Sequence, residues 1–304
     1  MNVTLMSLNQ PATDGVPASS RWSGTPSWYL WDGGFAAIGR SEGIVPPHQH
    51  HAIKIVVVVD GSVGIMRKCG EWRMTRGVIV RPDVVHSYNG NGAVAAMIFV
   101  DPESAEGVWL KASLRDDITI VPEARIEKCE AALRMFLEQP LETLEVGTLI
   151  RHCVHALCAG APRTRRLDER LTRVLAAIRE SEELRMSIED AAALAFLSPS
   201  RFSHLFKQQV GLPFKRYMLW RKLTRAMLMI GRERTIATAA HAADFADAAH
   251  LTRTFYMMFG RAPSVLMRGE FFEISSPFEL PAASKAGDSF RRSLGEGRSP
   301  ATAH

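Results

Sequence analysis

Cysteine is scarce in this chain: four residues in 304, namely Cys69, Cys129, Cys153 and Cys158. None forms a CxxC pair, and the spacing suggests neither a disulfide framework nor a redox dithiol. Long apolar runs are missing too. Runs such as Ile55–Val59 and Ala93–Val100 are far short of the roughly 20 residues that span a bilayer. Met1–Ser20 lacks a basic start followed by an apolar run, so no secretory leader is expected. These absences exclude a secreted scaffold and a membrane protein, and the expectation is a cytoplasmic protein with no membrane partner.

What is present suits a globular chain of about two domains. Apolar residues make up 46% and charged residues 23%, enough to bury a core without cross-links. The net charge is +5, and its placement is uneven. Arg166–Glu270 holds 17 Lys and Arg against 11 Asp and Glu, a net of +6, which leaves about −1 for the rest. A basic region beside a neutral one points to a polyanion partner for one part only.

Texture divides the chain further. Residues 1–27 are rich in Ser, Thr, Pro and Gly and read as a loose segment. Residues 28–121 show short β-branched runs, among them Ile53–Val59 and Ala93–Val100, punctuated by Asp60-Gly61, Pro82 and Asn89-Gly-Asn-Gly92. That pattern suggests a β-sandwich or barrel. Residues 122–159 have helical periodicity on either side of Pro140. Residues 160–166 read as a linker, 167–270 as helices, and 271–304 as a disordered tail.

One pattern occurs twice in the helical region. Phe202, Phe206, Val210 and Gly211 are spaced as are Leu251, Phe255, Phe259 and Gly260. The i, i+4, i+8 spacing lays three large apolar groups along one stripe, and the glycine suits a left-handed helix end. A short alanine-rich helix precedes each copy, opened by Ser187 in one and Thr235 in the other. Pro213–Ile230 reads as one long connecting helix with Phe214, Tyr217, Trp220, Leu223, Met227 and Ile230 on its buried stripe. Ser200, Ser203, His204 and Lys207 lie off the first apolar stripe, as do Ala249, His250 and Arg253 off the second. Neither segment carries an acid between Ser200 and Val210 or between Ala248 and Phe259, as a helix lying between phosphate rails requires.

Ser198-Pro-Ser-Arg-Phe-Ser-His-Leu-Phe-Lys207, Arg221 with Ala226, and His250-Leu-Thr-Arg-Thr-Phe255 followed by Phe259-Gly-Arg-Ala-Pro263 resemble the DNA-binding domain of the AraC/XylS family of transcription regulators. The resemblance covers about 100 residues and implies two helix-turn-helix units reading successive major grooves of double-stranded DNA. By motif position, Ser200, Ser203 and His204 would meet bases from the first unit, and Ala249, His250 and Arg253 from the second. Arg201 and Lys207 would meet phosphates. The sequence departs from the family at the helix-turn-helix corners, where Phe196 and Asp244 replace the usual glycine.

Histidine concentrates in the front half. His48-Gln-His50-His51 precedes Lys54, and His86 follows Arg81-Pro82. The arrangement resembles a cupin, the ligand-sensing domain many such regulators carry. Lys54 stands where the cupin glutamate ligand belongs, so no metal and no cofactor are assigned. His48, His50, Lys54 and His86 are read instead as an effector pocket or weak metal candidates, with Trp31, Arg67 and Tyr88 as further pocket candidates. The cluster His152, Cys153, His155 and Cys158 spreads around one helix, and a buried packing helix is expected there. Residues 123–159 offer a helical dimerisation surface, and a homodimer is expected.

The fold expectation is therefore α+β and multidomain: an N-terminal cupin-like β-barrel followed by helices, then an all-α domain with two helix-turn-helix units joined by a long helix. The functional expectation is a non-enzymatic, sequence-specific regulator under small-molecule control. A metal-dependent cupin enzyme with an accessory helical domain is the alternative.

Overall fold

A computed structural model of the chain describes residues 26–68, 70–138, 143–157, 167–274 and 277. Residues 1–25 of the expected loose segment 1–27, the expected linker 160–166, Cys69, Cys158 and most of the expected tail lie outside the described residues.

The front half is built on two sheets. Its strands are β1 (Ser27–Trp31), β2 (Gly34–Ser41), β3 (Ile44–His48), β4 (Ile53–Asp60), β5 (Val63–Arg67), β6 (Arg73–Thr75), β7 (Gly77–Val80), β8 (His86–Asn89), β9 (Ala93–Val100) and β10 (Ile118–Ile120). A late strand, β11 (Phe271–Glu273), joins them. The larger sheet runs β10-β7-β4-β9-β2-β1-β11, and the smaller runs β3-β8-β5-β6. The expected barrel is not formed. β10 and β11 end the large sheet without pairing to each other or to the small sheet, so the two sheets are open layers and the domain is not a cupin. A local cause lies in β3, whose pairing with β8 shifts register between Val45 and His48. Pro46 and Pro47 sit there, and proline has no N–H to continue a ladder.

The apolar run of β4 is explained by burial on both sides. Ile53, Ile55, Val57 and Val59 face the helices that cover the large sheet. Val56 and Val58 face the small sheet with Val63, Ile65 and Tyr88. The covering helices are α1 (Ala105–Ser113), α2 (Glu123–Glu138) and α3 (Thr143–Leu157). Ile126, Leu133 and Phe136 of α2 and Leu149, Ile150 and Val154 of α3 all enter this sheet core.

The C-terminal region is all-α, as expected. It holds α4 (Glu169–Glu180), α5 (Ile188–Leu194), α6 (Pro199–Val210), α7 (Phe214–Glu233), α8 (Ile236–Ala242), α9 (Ala248–Phe259) and a 3-10 turn, Pro263–Arg268. Local chemistry sets the ends. Ser187 and Asp190 form a reciprocal capping box on α5. Ser198 accepts the Arg201 N–H ahead of Pro199 on α6, and Asp247 caps α9 through the His250 N–H. Gly211 and Gly260 close α6 and α9 at positive φ, where a side chain would be strained. Gly260 has a second reason, because a Cβ there would come within 2.6 Å of Val45.

Phe271–Glu273, inside the expected tail, is ordered structure instead. It pairs in parallel with β1, and Tyr29 stacks on Phe272 with ring centroids 5.1 Å apart. Composition alone does not reveal so short an edge strand, because its pairing partner lies about 240 residues earlier. Among the described residues no helix is long and apolar enough to cross a membrane.

Candidate nucleic-acid interface and effector cavity

The two repeated units pack into different hydrophobic clusters. Phe202, Phe206 and Val210 of α6 pack with Leu171, Val174, Ala191, Ala192, Phe214 and Tyr217. Leu251, Phe255 and Met258 of α9 pack with Trp220, Leu223, Met227, Ala239 and Ala240. The small alanines let α5 and α8 lie close against their long partners. α7 joins the two cores, and its 20 residues span about 30 Å, close to the ~34 Å of one DNA turn.

The polar faces lie outward. Ser200, Arg201, His204 and Lys207 on α6 are exposed, and Ser203 is half-buried. On α9, Ala249 and Arg253 are exposed and His250 is half-buried. The His250 ring meets Phe245 edge-on at 5.1 Å, which limits its rotation. Phe196 and Asp244 take φ values of 55° and 59°, the left-handed corner that glycine would occupy without strain. Asp244 uses the bend: its carboxylate accepts the Leu184 N–H at 2.9 Å and pairs with Arg185 at 2.6 Å. Phe196 is 82% exposed, with the Arg173 guanidinium 5.3 Å from its ring centre.

The sequence did not anticipate how deeply the second unit joins the front half. Its core also contains Leu30, Phe35 and Phe99 from the sheets and Ala52 from the bend before β4. Phe35 and Phe99 stack at 4.4 Å, and Phe259 meets Phe35 edge-on at 5.9 Å. At this junction lies a cavity of about 290 Å³. Its walls include Lys54, Tyr88 and His48 from the sheets and Phe255, Phe259 and Arg261 from the helical domain. Arg40, Arg268 and Glu42 also line it, so cations outnumber the acid. A second cavity of about 300 Å³, bounded by Trp31, Asp101, Trp220 and Arg221, lies between the same halves.

Lys54 lies on the inner side of β4, 3% exposed. Its Nζ sits 3.9 Å from the centre of the Tyr88 ring, and among the described residues it has no ion-pair partner. Burial, with the nearby Arg261 charge, lowers its pKa to about 7. Such a group gains from an anion brought into the cavity. Tyr88 shares a hydrogen bond with Ser41 at 3.2 Å, and burial pushes its pKa up to about 12.

His48, His50 and His86 are brought together, and all three are buried. His48 and His86 are cross-strand partners of β3 and β8, with ring centroids 4.3 Å apart. Burial and the Lys54 charge lower His48 to about 4, and burial with Lys54 and His48 lowers His86 to about 2. His50 is held well below its usual value by burial and by His86. All three rings are therefore neutral at pH 7. Nε2 of His86 is buried without a protein partner, at a cost of about 1–3 kcal/mol, and His50 has no hydrogen bond of good geometry beyond a backbone contact with Ala52.

His51 points elsewhere. Its Nδ1 lies 2.7 Å from Asp83 Oδ2 and its Nε2 3.0 Å from Glu103 Oε2. Burial works against its charge, but Glu103 and the hydrogen bonds to Asp83 and Glu103 raise its pKa to about 10. The pair with Asp83 and Glu103 favours a charged His51, while burial lifts the Glu103 carboxyl itself to about 7.

The other sequence candidates separate. Trp31 lines the second cavity, and Arg67 pairs with Asp117 near solvent at 2.6 Å. Cys153 is buried in the sheet core. His152 bonds the Lys128 carbonyl at 2.9 Å, and His155 tilts against Trp109 at 5.3 Å. Cys158, the fourth member of that cluster, lies outside the described residues. The cavity residues that sequence reasoning missed include Arg261, Phe259, Phe255 and Phe99. Arg261 sat within a recognised motif, but nothing in one sequence shows that the motif abuts a sheet.

Two short helix-pair units joined by one long helix, each presenting an acid-free helix face, define a helix-turn-helix DNA-binding domain. A family model described as a helix-turn-helix domain matches residues 191–269. The arabinose operon regulatory protein of Escherichia coli is 34% identical over 93 residues, covering 29% of this chain and 32% of that protein. The probable transcriptional regulator LumQ of Photobacterium leiognathi is 29% identical over 107 residues, covering 34% of this chain and 42% of that protein. The matched stretch thus spans less than half of these curated relatives. The fold of the larger chain is shared with ToxT of Vibrio cholerae O395, at a TM-score of 0.53 and 12% identity over 78% of this chain and 98% of that one. A further ToxT structure, bound to (E)-4-(8-methylnaphthalen-1-yl)but-3-enoic acid, has a TM-score of 0.50 at 11% identity, covering 77% and 99%.

Proposed function

We propose that the chain is a sequence-specific transcription regulator whose DNA binding is set by an anionic, partly apolar small molecule held between its halves. The cavity carries this reading: Lys54 and Tyr88 come from the sheets, and Phe259 and Arg261 from the end of the second unit. A ligand there touches both halves at once and so can favour one arrangement of them over another. The ToxT structure bound to a carboxylic acid is consistent with a carboxylate reaching such cations. In this reading Ser200, Ser203, His204, Ala249, His250 and Arg253 meet base edges and Arg201 and Lys207 meet phosphates. Two copies of the chain act together as a homodimer on DNA.

Selection from a randomised duplex pool tests the DNA half. Enrichment of two short elements about one DNA turn apart is expected, whereas an unenriched pool would defeat the reading. Titrating aromatic and aliphatic carboxylates into the selected complex tests the effector half. Binding should shift with at least one of them in the intact protein and not in Arg261→Ala. A response kept in full by both Arg261→Ala and Lys54→Ala would move the effector out of this cavity.

A further inference from the structure

We propose that His48, His50 and His86 form a binding site for one divalent first-row metal ion, best matched by zinc. Each imidazole offers a ligand nitrogen, and these atoms all lie within 4.8 Å of one another. Around tetrahedral zinc, with bonds of roughly 2.0–2.1 Å, nitrogens sit about 3.4 Å apart. Small rotations of the three rings would close that gap.

The tautomers already suit the task. His48 Nδ1 lies 2.9 Å from the Pro46 carbonyl, and His86 Nδ1 lies 2.9 Å from the Val84 carbonyl. A carbonyl only accepts, so Nδ1 carries the proton and donates, leaving the lone pair on Nε2. A backbone carbonyl fixing the far nitrogen is the usual support of a metal-bound histidine. His86 Nε2 is buried with no protein partner, and His50 has no hydrogen bond of good geometry beyond a backbone contact with Ala52, so a metal would satisfy one nitrogen on each ring. Phe99 and Phe259 flank His50 at 5.2 and 5.8 Å and wall the cluster from solvent.

Three imidazoles without thiolate or carboxylate select against magnesium and calcium, which require oxygen ligands. His48 borders the cavity, so a fourth position opens toward it. Lys54 and Arg261 both act on His48 as positive charges, and that ligand is accordingly an anion, hydroxide or carboxylate. The site needs no effector and stands apart from the regulatory reading above.

The test uses the purified full chain, stripped with a chelator and dialysed against Zn²⁺ or Co²⁺ alone. One ion per chain is expected, and Co²⁺ should give the visible d–d bands of a four- or five-coordinate nitrogen and oxygen site. His48→Gln and His50→Ala should each weaken binding by about a hundredfold or more, since even supporting contacts contribute 10–100-fold. Lys54→Glu places a carboxylate beside the three rings and should tighten binding about tenfold, a gain that a misfolded protein would not give. Substoichiometric metal, unchanged affinity in a folded His50→Ala protein, no gain in Lys54→Glu, or a thiolate charge-transfer band would each overturn the site.

Discussion

The two helix-turn-helix units share a motif and a spacing but sit in different surroundings. The first has a core of its own, closed around Phe202, Phe206 and Phe214. Its ties to the front half include Lys111 donating to the Val210 carbonyl at 3.2 Å and Arg179 near Asp32 at 3.6 Å. The second has no separate core: Phe255 and Phe259 continue into Phe35 and Phe99 of the sheets. Duplication of a motif therefore does not duplicate its mechanics. One unit is linked to the front half by a few polar contacts and the edge of His51 against Tyr217 at 6.0 Å, whereas the other reports directly on the sheets and the cavity they enclose.

The sharpest way to break this comparison is to hollow each unit in turn. Phe206→Ala and Phe255→Ala should each cost about 3–5 kcal/mol in denaturant unfolding. In hydrogen exchange, Phe206→Ala should loosen α4–α6 and the start of α7, and Phe255→Ala should also loosen β2 and β9. Equal spreading from both sites would erase the distinction. Next in size is the charged tie between α7 and the sheets, where the half-buried Arg221 meets the buried Asp101 at 3.3 Å. Asp101→Asn strands the Arg221 charge and should cost about 3 kcal/mol, read as a fall in thermal midpoint.

The contact roles come below these. Arg253→Ala should lose about 1–3 kcal/mol of discrimination at one base position, seen as relaxed preference there in binding to single-base operator variants. Lys207→Ala should instead weaken all sequences alike and reduce the salt slope by about 1. Smallest is the pair of corners. Phe196→Gly should stabilise the protein by about 1 kcal/mol through relief of the left-handed backbone. Asp244→Gly should not, because it forfeits the bonds to Leu184 and Arg185. Burial pushes the Asp244 carboxyl upward, but those two bonds and the Lys222 charge hold it below its usual value. Its contribution is present above the unfolded carboxylate range and fades as pH falls through the lowered folded value. Acid titration of Asp244→Asn should lack that component.

Legibility followed the range of the interactions. The caps at Ser187 and Thr235 and the left-handed glycines at 211 and 260 act within one helix turn, so spacing revealed them, whereas the caps at Ser198 and Asp247 emerged only in the structure. The strand character of Ile53–Val59 was legible for the same reason. Closure of the sheets was not, because it depends on which edges meet, and Pro46 and Pro47 interrupt β3 in a way one sequence does not weigh. Phe196 lacked an evident place in the sequence, since a left-handed phenylalanine is tolerated only when both flanking helices impose the bend.

By itself, the sequence determined the kind of protein this is. Periodic apolar stripes, small residues at helix crossings and acid-free outer faces are local properties, and together they specify two DNA-reading units on one long helix. Tertiary structure alone decided how that domain meets the rest. It placed Arg261 opposite Lys54, drew His48, His50 and His86 into one buried group, and turned the adjacent His51 to Asp83 and Glu103. Those outcomes depend on sheet register and domain docking, which couple residues up to about 200 positions apart, beyond the reach of spacing along one chain.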